Sequence, residues 1–71
     1  MGKIENVKIG DHIICVDEYS HDYVEHELIV ENIEYDDEEG IILYGTDLDF
    51  PEDECDDYIT RVNKGNFICI V

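Results

Sequence analysis

The sequence predicts an all-β domain, and three observations carry that reading. Ile and Val supply 17 of its 31 apolar residues, while Ala is absent. Five Tyr and two Phe add to the same preference. Branched and aromatic side chains suit a pleated, half-buried surface and lose rotamer freedom in a helix. The apolar residues also fall in short runs separated by Gly, Asn, Asp and Pro, which punctuate strands and turns.

The chain has 71 residues, enough for a single domain over residues 1–71 and not for two. Val7-Lys8-Ile9-Gly10-Asp11 reads as a lead-in turn, with Gly and Asp as its turn residues. His12 to Asp17 follows as a first strand, whose four consecutive apolar residues suggest cover on both faces. Glu18 to Glu25 is polar and reads as a loop. His26 to Tyr35 is the clearest strand. Leu28 and Val30 point to one side of it, and Ile29, Ile33 and Tyr35 to the other. The phase changes near Val30, which suits a bulge or a strong bend. Asp36-Asp37-Glu38-Glu39-Gly40 is a hairpin turn, and Ile41 to Thr46 the return strand.

Asp47 to Asp57 is the longest irregular stretch, with seven carboxylates in eleven residues. Pro51 followed by Glu52, Asp53 and Glu54 has the pattern of a first helical turn. Tyr58 to Val62 reads as a fourth strand, Asn63-Lys64-Gly65-Asn66 as a tight turn, and Phe67 to Val71 as a fifth strand.

Five short strands, a long bent second strand and a short turn before the last one describe a small closed or half-closed barrel. The arrangement resembles an SH3-like barrel. The segment from Val7 to Val16 is similar to the opening of many such barrels, where a Gly-Asp turn precedes an apolar strand. The resemblance implies a five-stranded antiparallel SH3-like barrel with at most one short helical turn. It concerns the fold and carries no function with it.

Charge narrows the function. Twenty Asp and Glu stand against four Lys and Arg, a net charge of −16. A compact chain of this length has a diameter of about 28 Å. Duplex DNA carries about 16 charges over that length. The sequence therefore matches DNA in charge per unit length. Direct binding to nucleic acid or to an anionic membrane is disfavoured, and attraction to a basic protein surface is favoured. The competing reading is that the acid serves solubility. Self-repulsion at this density destabilises a thin-cored domain, which weighs towards a partner.

The remaining motifs exclude more than they assign. There is no nucleophile elbow, phosphate loop or Cys-His pair at a recognised spacing, so no enzyme and no cofactor are expected. Asp47-Leu48-Asp49-Phe50-Pro51 begins like a calcium loop but lacks the third acidic position and the turn Gly. His12, Cys15, His21 and His26 form no zinc-like unit. Three Cys at unmatched spacings and no signal-like or membrane-spanning stretch imply a cytoplasmic protein with reduced thiols. Cys15 and Cys69 read as core residues, and Cys55 as a poor nucleophile among carboxylates.

The candidate partner-binding residues are Asp36, Asp37, Glu38 and Glu39 at the hairpin, and Asp47, Asp49, Glu52, Asp53, Glu54, Asp56 and Asp57 in the long loop. A thinner set is Asp17, Glu18, Asp22, Glu25 and Glu27. Carboxylates two apart on a strand lie about 6.6 Å apart on one face, close to the spacing of successive phosphates. Tyr44 and Tyr58, with Tyr19 and Tyr23, are interleaved with these clusters and suit an interface, or else cap the ends of the core. The expected function is an acidic domain that docks on the basic surface of a nucleic-acid-binding enzyme and mimics its substrate. In charge and size it resembles the small inhibitors that phages direct against restriction or CRISPR defences. The alternative is a generic SH3-like protein-interaction module with those Tyr at the mouth of an apolar groove.

Overall fold

A computed structural model describes residues 3–16, 24–50 and 58–71. They form five antiparallel strands: β1 (His12–Val16), β2 (Glu25–Asp36), β3 (Gly40–Asp47), β4 (Arg61–Val62) and β5 (Phe67–Ile70). The strands make one sheet in the order β4-β3-β2-β1-β5, so β1 to β4 run as a meander and β5 returns beside β1. The fold is mostly β, as the composition predicts. A single 3-10 turn over Ile4–Asn6 is the helical element among the described residues. The helical turn predicted at Pro51 lies outside them.

The core is the inward face of this one sheet. Ile13 and Cys15 from β1, Leu28 and Val30 from β2, Leu43 from β3 and Val62 from β4 form one buried cluster with Val7 and Ile59. Phe67 and Ile70 of β5 pack against it. For one face of a single sheet to converge in this way, the sheet must curl over on itself. The expectation that β1 is covered on both faces is corrected: Ile13 and Cys15 are buried, but Ile14 and Val16 point outward and are half-buried.

The curl has a local cause in β2. Val30 pairs with Gly45 and Asn32 with Tyr44, so Glu31 is an extra residue. This is the bulge that the phase change predicts. A bulge bends a strand and raises its twist. It also flips the alternation, so Ile33 joins Leu28 and Val30 on the core side rather than opposing them. The lead-in turn docks at the same place: Gly10 N–H donates to the Val30 carbonyl and Val30 N–H to the Asp11 carbonyl. Gly10 has φ 95°, a left-handed conformation that favours glycine.

Gly45 is required for a different reason. A Cβ there would lie 1.9 Å from the Ile29 carbonyl oxygen. The two backbones approach so closely opposite the bulge that only glycine fits. β4 is shorter than the expected Tyr58–Val62 strand. Its pairing with β3 is Leu43 to Val62 and Tyr44 to Arg61, extended by one hydrogen bond from Gly45 N–H to the Thr60 carbonyl. The turn before β5 is as tight as expected, with Asn63 Oδ1 accepting from Gly65 N–H and Asn66 Oδ1 from Asn63 N–H.

Gly45→Ala is expected to lower unfolding stability by about 3 kcal/mol or more, the upper range for forcing extra atoms into a packed site. Urea denaturation followed by circular dichroism measures this. A loss below about 1 kcal/mol would show that the β2–β3 contact is looser than described.

Candidate functional site

Two features of the fold bear on function: a buried polar knot at the end of β3, and the distribution of carboxylates over the outward face.

The knot centres on Asp47. It was expected among the surface acids of the long loop, but it is 6% exposed. That expectation is corrected: as the last residue of β3, Asp47 takes an inward position, and its carboxylate is consumed inside the protein. Oδ1 accepts from Asp49 N–H at 2.9 Å and Phe50 N–H at 3.1 Å. Oδ2 accepts from Ile59 N–H at 2.9 Å and meets His26 Nδ1 at 2.6 Å. The His26 ring lies against Phe50, with centroids 4.2 Å apart. Three backbone N–H groups aimed at two oxygens form the acceptor set of an ionised carboxylate, and Nδ1 then carries the proton that completes it. Asp47 thereby ties together both ends of the long loop.

Asp49 is exposed, and its Oδ2 accepts from Glu27 N–H at 2.8 Å. The calcium-like start of this loop is thus turned towards backbone donors. Among the described residues no group of three or more His, Cys, Asp or Glu is placed to hold a metal ion.

Cys15 lies in the core beside this knot, and its cross-strand partner is His26. A cysteine, a histidine and an aspartate are thereby close together, yet the arrangement is not a nucleophile site. The thiol is directed to the His26 carbonyl at 3.7 Å. Burial first, then the negative charges of Asp47 and Asp49, push its pKa up to about 12. A buried thiol so rarely ionised does not attack. Cys69 was expected in the core as well; it is half-buried, opposite Ile14 on the outward face.

The hairpin acids are at the surface, but two have structural duties. Asp36 Oδ1 accepts from Glu38 N–H at 2.8 Å and Glu39 N–H at 3.1 Å. Those two donors hold the Asp36 carboxyl below the usual carboxylate range. Glu39 is half-buried, forms an ion pair with Arg61, and accepts from Asn63 Nδ2 at 3.2 Å. Asp37 and Glu38 are exposed and have no ion pair among the described residues. Tyr44 is half-buried and bonds to Arg61, and Tyr58 is half-buried beside Phe50 and Thr60 at a cavity of about 50 Å³. Glu52, Asp53, Glu54, Asp56 and Asp57, like Tyr19 and Tyr23, lie outside the described residues.

The sheet also draws Glu25, Glu27 and Asp36, expected in separate clusters, into one array with Glu31 and Glu34. Residues of β2 that face away from the core are Glu25, Glu27 and Ile29 before the bulge, and Asn32, Glu34 and Asp36 after it. Glu31, at the bulge itself, receives a hydrogen bond from Thr46 Oγ1 at 2.6 Å. One long bent strand therefore presents five carboxylates on its outward side, with neighbours two apart separated by about 6.6 Å. Glu27 meets His12 at 2.7 Å across the sheet. The signal was available in the alternation of Glu with Ile, Leu and Val from Glu25 to Asp36, once the strand was extended by a residue at each end.

No family model, curated protein or solved structure matches this chain.

Two outcomes are expected. Asp47→Ala leaves His26 and three buried N–H groups without their acceptor, so unfolding stability should fall by about 3–5 kcal/mol, read by urea denaturation. Iodoacetamide at pH 8, followed by peptide mapping, should alkylate Cys15 roughly a thousandfold more slowly than an ordinary exposed thiol, from its thiolate fraction alone. Rapid labelling of Cys15 in the folded protein would contradict its placement.

Proposed function

We propose that this protein is an acidic docking domain for a basic protein surface, and that it acts as a nucleic-acid mimic against a nucleic-acid-binding enzyme. The observation that carries this reading is the outward face of β2. Glu25, Glu27, Glu31, Glu34 and Asp36 follow one strand, and Asp37 and Glu38 continue the line into the turn. The pairs Glu25 with Glu27 and Glu34 with Asp36 are each two apart, a spacing of about 6.6 Å that is close to that of successive phosphates. Carboxylates so placed make charge-assisted hydrogen bonds to the Arg and Lys that normally grip a backbone. The chain as a whole has a net charge of −16. Among the described cations, Arg61 is committed to Glu39.

The strand order supports the finer reading of the fold. A meander of four strands with the fifth returning beside the first is the arrangement of an SH3-like barrel, and we adopt it for this chain. An SH3-like groove module has less support. The Tyr44 hydroxyl is engaged by the Arg61 guanidinium, and the cavity beside Tyr58 holds about 50 Å³, far below the several hundred of a ligand site.

The test is capture from nuclease-treated cell extract on the immobilised chain, eluted across a salt gradient, with eluted proteins identified by mass spectrometry. Release of a nucleic-acid-binding enzyme at moderate salt, with competition by its own nucleic acid, is the expected result. Exposed charge pairs weaken as ionic strength rises. Retention of the partner at high salt, or retention of nothing, rejects the mimic.

A further inference from the structure

Tyr35 stands apart from the other described tyrosines. It is 80% exposed, whereas Tyr44 and Tyr58 are half-buried. It occupies the core-side face of β2 opposite Ile41, which packs against the edge of the core while the Tyr35 ring stays in solvent. The next core-side residue back along the strand is Ile33, which packs on the cluster; Tyr35 has passed beyond it. No hydrogen bond in the hairpin involves its side chain.

The platform beneath this ring is held in place. Asp36 closes the turn through two backbone N–H groups, Gly40 takes the left-handed conformation at φ 80°, and Glu39 is clamped to Arg61 and Asn63 of the neighbouring segment. A ring presented on a fixed hairpin loses little freedom on binding. Its surroundings select the ligand. Asp37 and Glu38 follow Tyr35 in the turn, exposed and without an ion pair among the described residues, while the nearby Arg61 is committed to Glu39. An aromatic face in a strongly negative field attracts a cation, and a planar guanidinium stacks on tyrosine while bonding to neighbouring carboxylates. A lysine ammonium is a hydrated point charge that bonds to carboxylates without needing the ring.

We propose that Tyr35 is the contact point for an arginine of the basic partner, its guanidinium stacked on the ring and bonded to the free turn acids Asp37 and Glu38. The inference rests on the acidic-docking reading and adds to it a preference for arginine over lysine.

The probes are nona-arginine and nona-lysine, with a neutral Gly-Ser peptide of equal length as control. Each is titrated by calorimetry into the full chain, Tyr35→Phe and Tyr35→Leu at one fixed salt concentration. Nona-arginine should bind more tightly than nona-lysine. The excess attributable to the ring is about threefold, within the range for an exposed cation–π contact. Tyr35→Phe should keep that excess. Tyr35→Leu should lose it while its affinity for nona-lysine stays unchanged. The tyrosine is exposed, so all three proteins should melt alike. An unchanged arginine-to-lysine ratio in Tyr35→Leu overturns the role of Tyr35 and leaves acidic docking standing. Binding of both basic peptides no tighter than the neutral control overturns acidic docking itself.

Discussion

A carboxylate taken out of water must be met by donors on every side, and the end of β3 is organised around meeting that need for Asp47. Its two oxygens collect His26 from β2, the N–H groups of Asp49 and Phe50 just after β3, and that of Ile59 before β4. These four contacts join two strands and both ends of the long loop. Burying such a hydrogen-bonded polar group adds little net stability compared with an apolar core, but leaving it without its partners is severely unfavourable. Such a knot therefore penalises any register that separates its members. A slip of β3 against β2 by one residue would turn Asp47 outward and leave His26 buried without its acceptor.

The second constraint is the bulge at Glu31. It bends β2, reverses the alternation of its side chains, and brings the β3 backbone so close that position 45 admits only glycine. Through that bend the apolar residues of all five strands reach one small core. The same bend leaves the acids on the convex, outward side. The acidic array and the core are thus two faces of one strand, and neither can be repositioned alone.

The charge of the chain acts against the fold that displays it. A domain of this size buries only about 60% of its unfolded surface. Repulsion among exposed carboxylates reduces what stability remains. The structure limits the problem at particular points: Glu39 meets Arg61, Glu27 meets His12, Asp36 accepts two backbone N–H groups, and Asp47 is withdrawn from the surface altogether. Of the acids that carry the docking reading, Glu27 and Asp36 are met in this way, while Glu25, Glu34, Asp37 and Glu38 have no ion pair among the described residues.

The sequence by itself determined the elements that depend on near neighbours. The wealth of Ile and Val, the turns at Gly10, at Asp36 to Gly40 and at Asn63 to Asn66, and the bulge near Val30 could all be read along the chain, because turn chemistry and strand alternation are local. The tertiary structure decided which side of each strand is inside once the bulge had shifted the phase, and so moved Ile33 to the core. It decided that Asp47, spelled like its acidic neighbours, is buried, because His26 lies 21 residues earlier and only the β2–β3 pairing brings them together. It decided as well that Tyr35 rather than Tyr44 is the open ring, since exposure depends on where the core ends. One-dimensional patterns record which residues alternate; which carboxylate meets donors and which meets water is set by contacts that the chain makes only when folded.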